Sequence, residues 1–259
     1  MRTAGLALAL LVLASGASAQ APPDSSSRLE DSWRWLGAAP TPDVELQLVA
    51  VGRDTVSGHA RVRFKALALG LPAGERLAAW HFHLGAPQGA CLESGFVVDS
   101  TGRLVCDPQT RAAADTCEAC TVPLDQVILT ATGYAAGEPY RIGVVSSDGR
   151  VRAYAEAIPI PVESVVDSMR IHLEMKDPFG LVYVVVGEGF QPRSKIGVST
   201  RSGEESGTQK MIVPADGRFA LEVLPQVAGE PTGFTSVTIT AGHRHLTLDW
   251  EWGRGAFKH

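Results

Sequence analysis

Residues 246–252 read LTLDWEW, with apolar side chains at the even positions and polar side chains between them. Side chains two apart on a strand point to the same face of a sheet, so this pattern predicts a half-buried β-strand. The same alternation recurs in residues 44–48, 59–66, 219–223 and 236–240. Turn signals rich in Gly, Pro and Asp separate these stretches. The sequence therefore predicts an all-β fold of antiparallel sandwiches.

A weak internal repeat predicts two domains of this kind. Each half opens with a turn-rich string, at residues 70–75 and at residues 189–194, and closes with a pair of alternating strands. The proline-rich stretch 159–163 lies between the halves and suits a linker, because proline removes a backbone donor from any central strand. We expect a first, cysteine-containing β-sandwich domain over residues 43–160 and a second over residues 166–254.

The second half carries the strings GEGFQP at residues 187–192 and ADGRF at residues 215–219. They resemble the Gly-x-Gly-Phe-x-Pro-Gly-Glu opening and the Asp-x-x-Gly-x-Phe turn of bacterial immunoglobulin-like domains. Here Arg193 and Ser194 stand in place of the Gly-Glu pair, and the turn is shorter. The resemblance implies two immunoglobulin-like β-sandwiches, a fold that serves adhesion, carbohydrate-binding and spacer modules.

The N-terminus has the order of a secretory signal peptide. A positive charge precedes a short apolar stretch at residues 6–14, and the string ASA at residues 17–19 matches an A-x-A cleavage site. We expect cleavage between Ala19 and Gln20, with residues 1–19 as the signal peptide. The apolar stretch is too short to span a bilayer, and no later stretch of the sequence is long enough. The sequence therefore predicts a protein that is secreted or periplasmic.

Residues 20–42 form the expected link between the signal peptide and the first domain. Their composition, rich in Pro and Ser, predicts a mobile segment with one short helix over residues 27–36. Ser27 suits the N-cap of this helix and Glu30 completes a capping box. Trp33 and Trp35 would dock the helix onto a sheet edge.

The chain carries 23 Lys and Arg residues against 28 Asp and Glu residues, a net charge of −5. This balance argues against a nucleic-acid-binding protein, which needs a basic face. The sequence has no Gly-x-Ser-x-Gly, no His-Glu-x-x-His and no phosphate-binding glycine loop. We therefore assign no catalytic residue and expect a non-enzymatic structural or interaction module with an unknown protein or carbohydrate partner.

Four cysteines, Cys91, Cys106, Cys117 and Cys120, lie close together in the first half of the sequence. An even count in an exported protein predicts disulfides, and three pairings are possible. The shortest loops favour Cys91–Cys106 and Cys117–Cys120. Two alternatives stay open for the Cys-x-x-Cys string. One is a thioredoxin-type redox pair, which would make the chain a periplasmic thiol-disulfide protein, and the other is a thiolate zinc site.

One of two His-x-His pairs offers candidate metal ligands. His81 and His83 would share one face of a strand, and two imidazoles on one face suit Zn or Cu. His59 would supply a third ligand if its strand and theirs formed a hairpin. Residues 57–97 also resemble a CHRD-type domain, which has a Gly-x-Ala strand opening and a later His-x-His-x-Gly. The alternative function is therefore a metal-binding module. Apart from Zn or Cu we expect no cofactor.

Trp250 and Trp252 share one face of the strand predicted at residues 246–252. As an exposed platform they would stack on sugar rings or on a partner surface. As buried side chains they would instead close the core of the second domain. Both interpretations are open at this point, and the pair is a candidate binding surface.

Overall fold

A computed structural model describes residues 39–84, 86–107 and 117–257 of the chain. The predicted signal peptide and the predicted helix over residues 27–36 lie outside this part. Within the described residues the chain forms β-strands and short 3-10 turns, so the expected all-β fold is confirmed. In the same residues no helix has the length and apolar character needed to cross a membrane.

The chain divides into two compact units. Of the described residues, the N-terminal unit holds 39–132 and 139–157, and the C-terminal unit holds 133–138 and 158–257. The domain limits drawn from the sequence stay a prediction about which segments fold on their own.

Nine strands make up the described part of the N-terminal unit: β1 (Glu45–Val56), β2 (His59–Leu69), β3 (Arg76–His83), β4 (Ala86–Val98), β5 (Leu104–Cys106), β6 (Glu118–Ala119), β7 (Leu129–Thr132), β8 (Tyr140–Ser146) and β9 (Arg152–Ala157). One sheet has the order β1-β2-β7. The other has the order β5-β4-β3-β8-β9, with β6 paired to β4. All these pairs are antiparallel except β4 with β6, which is parallel.

The two sheets of the N-terminal unit meet across a core of inward-pointing side chains. Phe64 of β2 and Tyr140 of β8 stack with ring centroids 5.5 Å apart. Five of the described buried residues of this unit are alanines, and Ala66, Ala79 and Ala153 are almost fully buried. Because burial stabilises by about 25 cal/mol per Å² of apolar surface, an alanine contributes less than a larger side chain in the same place.

Eight strands make up the C-terminal unit as described: β10 (Glu163–Val166), β11 (Met169–Met175), β12 (Tyr183–Glu188), β13 (Lys195–Ser202), β14 (Glu205–Ile212), β15 (Phe219–Val223), β16 (Thr232–Ala241) and β17 (Arg244–Gly253). They form two four-stranded antiparallel sheets, in the orders β10-β11-β12-β15 and β14-β13-β16-β17. A 3-10 turn, Arg254–Phe257, follows β17.

Strand β17 alternates between core and solvent as its sequence predicts. Leu246, Leu248, Trp250 and Trp252 are at most 3% exposed, and the polar residues between them are exposed. Tyr183 from the opposite sheet meets Trp250 with ring centroids 5.4 Å apart. The inward face of this strand therefore belongs to the core between the two sheets.

The two turn-rich strings of the internal repeat, at residues 70–75 and 189–194, begin with the same backbone arrangement. Gly70 and Gly189 both have a φ of +72°. Each lies directly against a backbone carbonyl, that of Asp43 in the first case and that of Ser168 in the second. The repeat in the sequence therefore corresponds to a repeated backbone contact.

The hairpin between β8 and β9 differs in turn type from the usual Asp-Gly hairpin. An Asp-Gly pair predicts a type I′ turn, in which both central residues have positive φ. Gly149 has a φ of +69°, but Asp148 does not have a positive φ. The Asp148 carboxylate instead accepts hydrogen bonds from Ser146 Oγ at 2.7 Å and from the Arg150 backbone N–H at 3.1 Å. These local bonds hold Asp148 in an ordinary turn conformation.

Candidate functional site

His81 and His83 lie side by side at the end of β3. Their ring centroids are 4.1 Å apart, and the centroid of the His81 ring is 4.8 Å from that of Tyr140. The residue opposite His81 on β8 is Ile142, which is 1% exposed and faces the core. The pair therefore lies on the inner face of its sheet, with His81 partly buried and His83 exposed.

The protonation states of this cluster follow from its burial. Burial, together with the neighbouring His83, lowers the pKa of His81 to about 4. Burial also raises the pKa of Tyr140 to about 12. The rings of His81 and Tyr140 are therefore neutral near pH 7, and a neutral imidazole is the form that binds a metal ion.

His59 does not join the pair. It lies on β2 in the three-stranded sheet, whereas β3 belongs to the second sheet and pairs with β4 and β8. The expected hairpin is not formed, because the turn at residues 70–75 carries the chain from one sheet to the other. Across the part of the chain that the structure describes, no group of three or more His, Cys, Asp or Glu side chains could hold a metal ion. Zn or Cu binding at His81 and His83 stays a prediction and needs a further ligand.

The four cysteines form two disulfides, but not in the pairs that loop length favours. The bonds join Cys91 to Cys117 and Cys106 to Cys120, with Cα–Cα distances of 5.3 and 5.7 Å. Strands β5 and β6 both pair with β4, and this arrangement brings the Cys-x-x-Cys string alongside the two earlier cysteines. The prediction of local pairs was wrong because β4 and β6 are distant in sequence but neighbours in the sheet.

The same pairing bears on the two alternatives for the Cys-x-x-Cys string. Cys117 and Cys120 are each bonded to a cysteine of another segment, and none of the four cysteines is free. A thioredoxin-type protein needs a reactive thiolate at this motif, and a zinc site needs unbonded thiolates. In this arrangement the cysteines are structural cross-links.

Trp250 and Trp252 are 3% and 1% exposed. The interpretation of this pair as an exposed binding surface is therefore wrong. The Trp252 indole Nε1 donates a hydrogen bond to Ser202 Oγ at 3.1 Å, and Ser202 Oγ donates to the Pro225 carbonyl oxygen at 2.5 Å. Both rings point inward because the residues that alternate with them carry carboxylates, which stay in water. The pair closes the core of the C-terminal unit.

A cleft of about 640 Å³ opens between three loops of the C-terminal unit. The loops are the β11–β12 loop, the β15–β16 loop and the 3-10 turn after β17. Aromatic and polar side chains line the cleft, among them Phe179, Gln226, Glu230, Arg254 and Phe257. Loops that a rigid β-sandwich holds in place are common sites of binding. This cleft is therefore the best candidate for a functional site.

Phe179 is 70% exposed in the β11–β12 loop, and hydrogen bonds hold that loop in place. The Asp177 carboxylate accepts the backbone N–H of Phe179 at 3.1 Å and those of Leu181 and Val182 at 2.7 Å. An Asp side chain that binds its own backbone in this way defines a turn. The phenyl ring is therefore presented to solvent by a preorganised loop, which lowers the entropic cost of binding through it.

The end of β17 joins the other two loops of the cleft. The Gly253 N–H donates to the Gly180 carbonyl oxygen at 2.8 Å, and the Arg254 N–H donates to the Pro231 carbonyl oxygen at 3.3 Å. Gly253 has a φ of +63°, and a Cβ atom there would collide with the Pro231 carbonyl oxygen. Only glycine fits both the conformation and the space. The backbone itself therefore ties the three loops into one rim.

The cleft combines aromatic rings with polar groups of both charge signs. Phe257 is 41% exposed, so it offers a second phenyl ring beside Phe179. Glu230 and Arg254 are exposed, and neither forms an ion pair with a described residue. The residues that line the cleft include no Ser, Thr, Cys, His or Lys, so they offer no nucleophile with an adjacent base. The arrangement suits binding.

Sequence reasoning missed this cleft, although one signal was present. The string DPFG at residues 177–180 is a turn between two alternating strands, and it contains an aromatic residue. Turns are rich in Gly, Pro, Asn, Asp and Ser, so a phenylalanine in one marks a ring held at the surface. That this loop meets two others depends on the sheet order, which no local string reveals.

No protein-family model matches the chain, and no curated protein matches it at a significant level. Among solved structures, one similar chain comes from a study of the host cell surface retention of a 1.5-MDa bacterial ice-binding adhesin. The identity is 9% and the TM-score is 0.20, and the match covers 82% of this chain. This chain spans 64% of the length of the adhesin chain. A similarity at this level carries no argument about fold or function.

Proposed function

We propose that this chain is an exported, non-enzymatic interaction module that binds a carbohydrate in the cleft of its C-terminal unit. The observation that carries the proposal is the phenyl ring of Phe179, 70% exposed on a loop that the Asp177 carboxylate holds. A flat apolar ring held open to solvent suits stacking against the C–H face of a sugar ring.

The polar groups of the cleft favour a carbohydrate over an apolar ligand. Hydroxyl groups at the edge of a sugar ring both donate and accept hydrogen bonds. Gln226, Glu230 and Arg254 offer acceptors and donors beside the two phenyl rings. One carboxylate and one guanidinium leave the lining without net charge, which suits a neutral sugar.

The C-terminal unit supports the immunoglobulin-like assignment of that half of the chain. Its two sequence strings meet in space, because the ring centroids of Phe190 and Phe219 lie 5.0 Å apart. The Phe190 N–H also donates to the Gly217 carbonyl oxygen at 3.1 Å. The CHRD-type assignment of residues 57–97 rests on its sequence strings alone.

The proposal also includes the export of the chain from the cytoplasm. Two disulfides in a chain of this size suit an oxidising compartment, the periplasm or the medium. Mass spectrometry of the exported protein is expected to find its N-terminus at Gln20. A chain that keeps Met1 and stays in the membrane would contradict this part.

The test of the proposed function is the binding of short neutral oligosaccharides to the chain that begins at Gln20. Isothermal titration uses di- to tetrasaccharides of glucose, N-acetylglucosamine, xylose and galactose. We expect at least one of them to bind with a Kd on the order of 0.1–1 mM, and Phe179→Ala to weaken that binding at least tenfold. Ile212→Ala shortens an apolar side chain that is 62% exposed outside the cleft, and it should leave binding unchanged.

Two results would overturn this function. One is that none of these oligosaccharides binds, and the other is that Phe179→Ala binds as well as the parent. A protein ligand whose binding is abolished by Phe179→Ala would keep the cleft as the site but replace the carbohydrate as its ligand.

A second candidate function is metal binding at His81 and His83. The distance of 4.1 Å between the centroids of their rings favours it. The measurement is a calorimetric titration of chelator-stripped protein with Zn or Cu, repeated on a His81→Ala/His83→Ala variant. A Kd weaker than about 0.1 mM in the parent, or equal binding in the variant, would remove this function.

A further inference from the structure

The outer face of the β14-β13-β16-β17 sheet carries a shallow depression of about 570 Å³ that shares no lining residue with the cleft. Hydroxyl groups, one guanidinium and one phenyl ring line it, from Ser199, Arg201, Ser206, Thr208, Phe234 and Ser236. Hydroxyls, a cation and an aromatic ring together are the groups that a protein uses to hold a charged, ring-shaped polar ligand.

The sheet register places these side chains in two rows on three strands. Ser199 lies opposite Thr208, and Arg201, two residues on, lies opposite both Ser206 and Ser236. Neighbouring strands are about 4.8 Å apart and residues two apart along a strand about 6.6 Å apart. The two rows therefore cover an area that suits one or two sugar rings.

Arg201 is the only cation that lines this depression within the part of the chain that is described. No described carboxylate pairs with it, and its Nε donates to the Gly203 carbonyl oxygen at 3.3 Å. Three other arginines of the same unit are neutralised, in the pairs Arg170–Glu163, Arg218–Glu188 and Arg244–Asp167. The terminal nitrogens of Arg201 are therefore available, and their planar fork matches a carboxylate.

Phe234 borders the same depression and is 56% exposed. Its carbonyl oxygen accepts the Gly203 N–H at 3.4 Å, so Phe234 sits beside the bend whose carbonyl Arg201 binds. A phenyl ring next to a guanidinium lets one ligand stack on the ring while its anionic group reaches the cation.

The other charges on this face direct the negative charge of a ligand towards β13 and β14. Lys210 is exposed on β14, two residues from Thr208. Asp249 and Glu251 are exposed on β17, where they lie opposite Ser236 and Phe234 of β16. A negatively charged ligand is therefore attracted on one side of the depression and repelled on the other.

We propose that this face binds a sugar that carries a carboxylate, a uronic acid residue of a polysaccharide. Arg201 holds the carboxylate, Phe234 stacks on the sugar ring, and the serine and threonine hydroxyls bond to the ring hydroxyls. This site is separate from the cleft of the proposed function and takes a different class of sugar, an acidic one.

The probe is trigalacturonate, titrated onto the chain that begins at Gln20. Galactotriose and methyl-esterified trigalacturonate serve as neutral counterparts of the same size, and all three are also titrated onto Phe179→Ala, in which binding to the cleft is removed. We expect the acid to bind at least tenfold more tightly than either, and both Arg201→Gln and Phe234→Ala to weaken its binding about tenfold. Lys195→Gln removes one charge from the same sheet face, about 20 Å away along β13, and should leave affinity within twofold.

Equal binding of the acid and its ester, or unchanged binding in Arg201→Gln, would overturn the proposal. So would a Lys195→Gln variant that loses as much affinity as Arg201→Gln, because the attraction would then be non-specific. Thermal melts of each variant report whether the fold is kept. Phe179→Ala should not alter trigalacturonate binding. A result against neutral sugar binding in the cleft is therefore distinguishable from a result against acidic sugar binding on this face.

Discussion

The two units of the chain fill their cores with different side chains. In the N-terminal unit, buried alanines stand at many inward positions, at Ala66, Ala79, Ala131, Ala153 and Ala155. In the C-terminal unit the largest fully buried side chains include Trp252, Tyr183 and Met175. Both disulfides lie in the N-terminal unit.

This difference indicates two ways to stabilise a sandwich. Large buried side chains contribute in proportion to the apolar surface they bury, about 25 cal/mol per Å². A core of small side chains buries less, and a disulfide can compensate by restricting the unfolded chain. We infer that the N-terminal unit depends on its cross-links and that the C-terminal unit depends on its packing.

The substitution Trp252→Ala tests most directly whether the C-terminal unit depends on the packing of its core. Removing this 1% exposed ring leaves a cavity and takes away the donor that binds Ser202, so we expect a loss of about 3–5 kcal/mol in the unfolding free energy of the C-terminal unit. Calorimetry measures it, and the transition of the N-terminal unit should not move. Phe234→Ala, at an exposed ring, is the matched control and should cost less than about 0.5 kcal/mol. A loss of unfolding free energy below about 1 kcal/mol for Trp252→Ala would contradict the inferred dependence of this unit on its packing.

Removing a disulfide should lower the stability of the N-terminal unit. The bonds span 26 and 14 residues, so the double change Cys91→Ser/Cys117→Ser should cost the N-terminal unit about 2–4 kcal/mol. Differential scanning calorimetry of the full chain should show one transition shifted and the other unmoved. A thiol count on the natively exported protein should find none, and four free thiols would contradict the cross-linked state.

A smaller effect is expected at the β8–β9 hairpin of the N-terminal unit. Gly149→Val places a β-branched residue at a φ of +69°, and this backbone strain should cost about 1–3 kcal/mol. Ser147→Val, at an exposed neighbouring position of the same turn, is the control. Denaturant titration compares the two, and equal stabilities would show that the turn relaxes freely.

The smallest effect concerns the partly buried His81. Its folded pKa of about 4 lies below the ordinary value of 6.5, so the unfolded chain binds the proton more readily between these values. The stability that His81 contributes is therefore present above pH 6.5 and is lost as the pH falls towards 4, by about 1–2 kcal/mol after allowance for its partial exposure. His81→Phe keeps the ring against Tyr140 and should flatten this slope. Equal slopes in the parent and in His81→Phe would refute the assignment.

Properties that depend on neighbours along the chain were predictable from the sequence. The alternation in β17 placed Trp250 and Trp252 on one face because side chains two apart on a strand always share a face. The carboxylates between them could also have indicated which face is buried. The all-β class followed in the same way from short alternating stretches between turn signals.

Properties that depend on which strands meet were not predictable. The disulfide pairs follow from β6 lying beside β4, a parallel contact that no hairpin rule indicates. His59 was expected beside His81 because a hairpin is the default between consecutive strands, but the chain changes sheets there. Phe179, Glu230 and Arg254 meet only because the sheet order brings three loops together.

The crossed pairing of the cysteines also determines how the chain responds to a protease. Both bonds, Cys91–Cys117 and Cys106–Cys120, bridge the stretch between Cys106 and Cys117. A single cut in that stretch would leave two fragments that are still joined by two covalent links. The nicked protein would migrate as one species on a non-reducing gel and separate into two bands only after reduction.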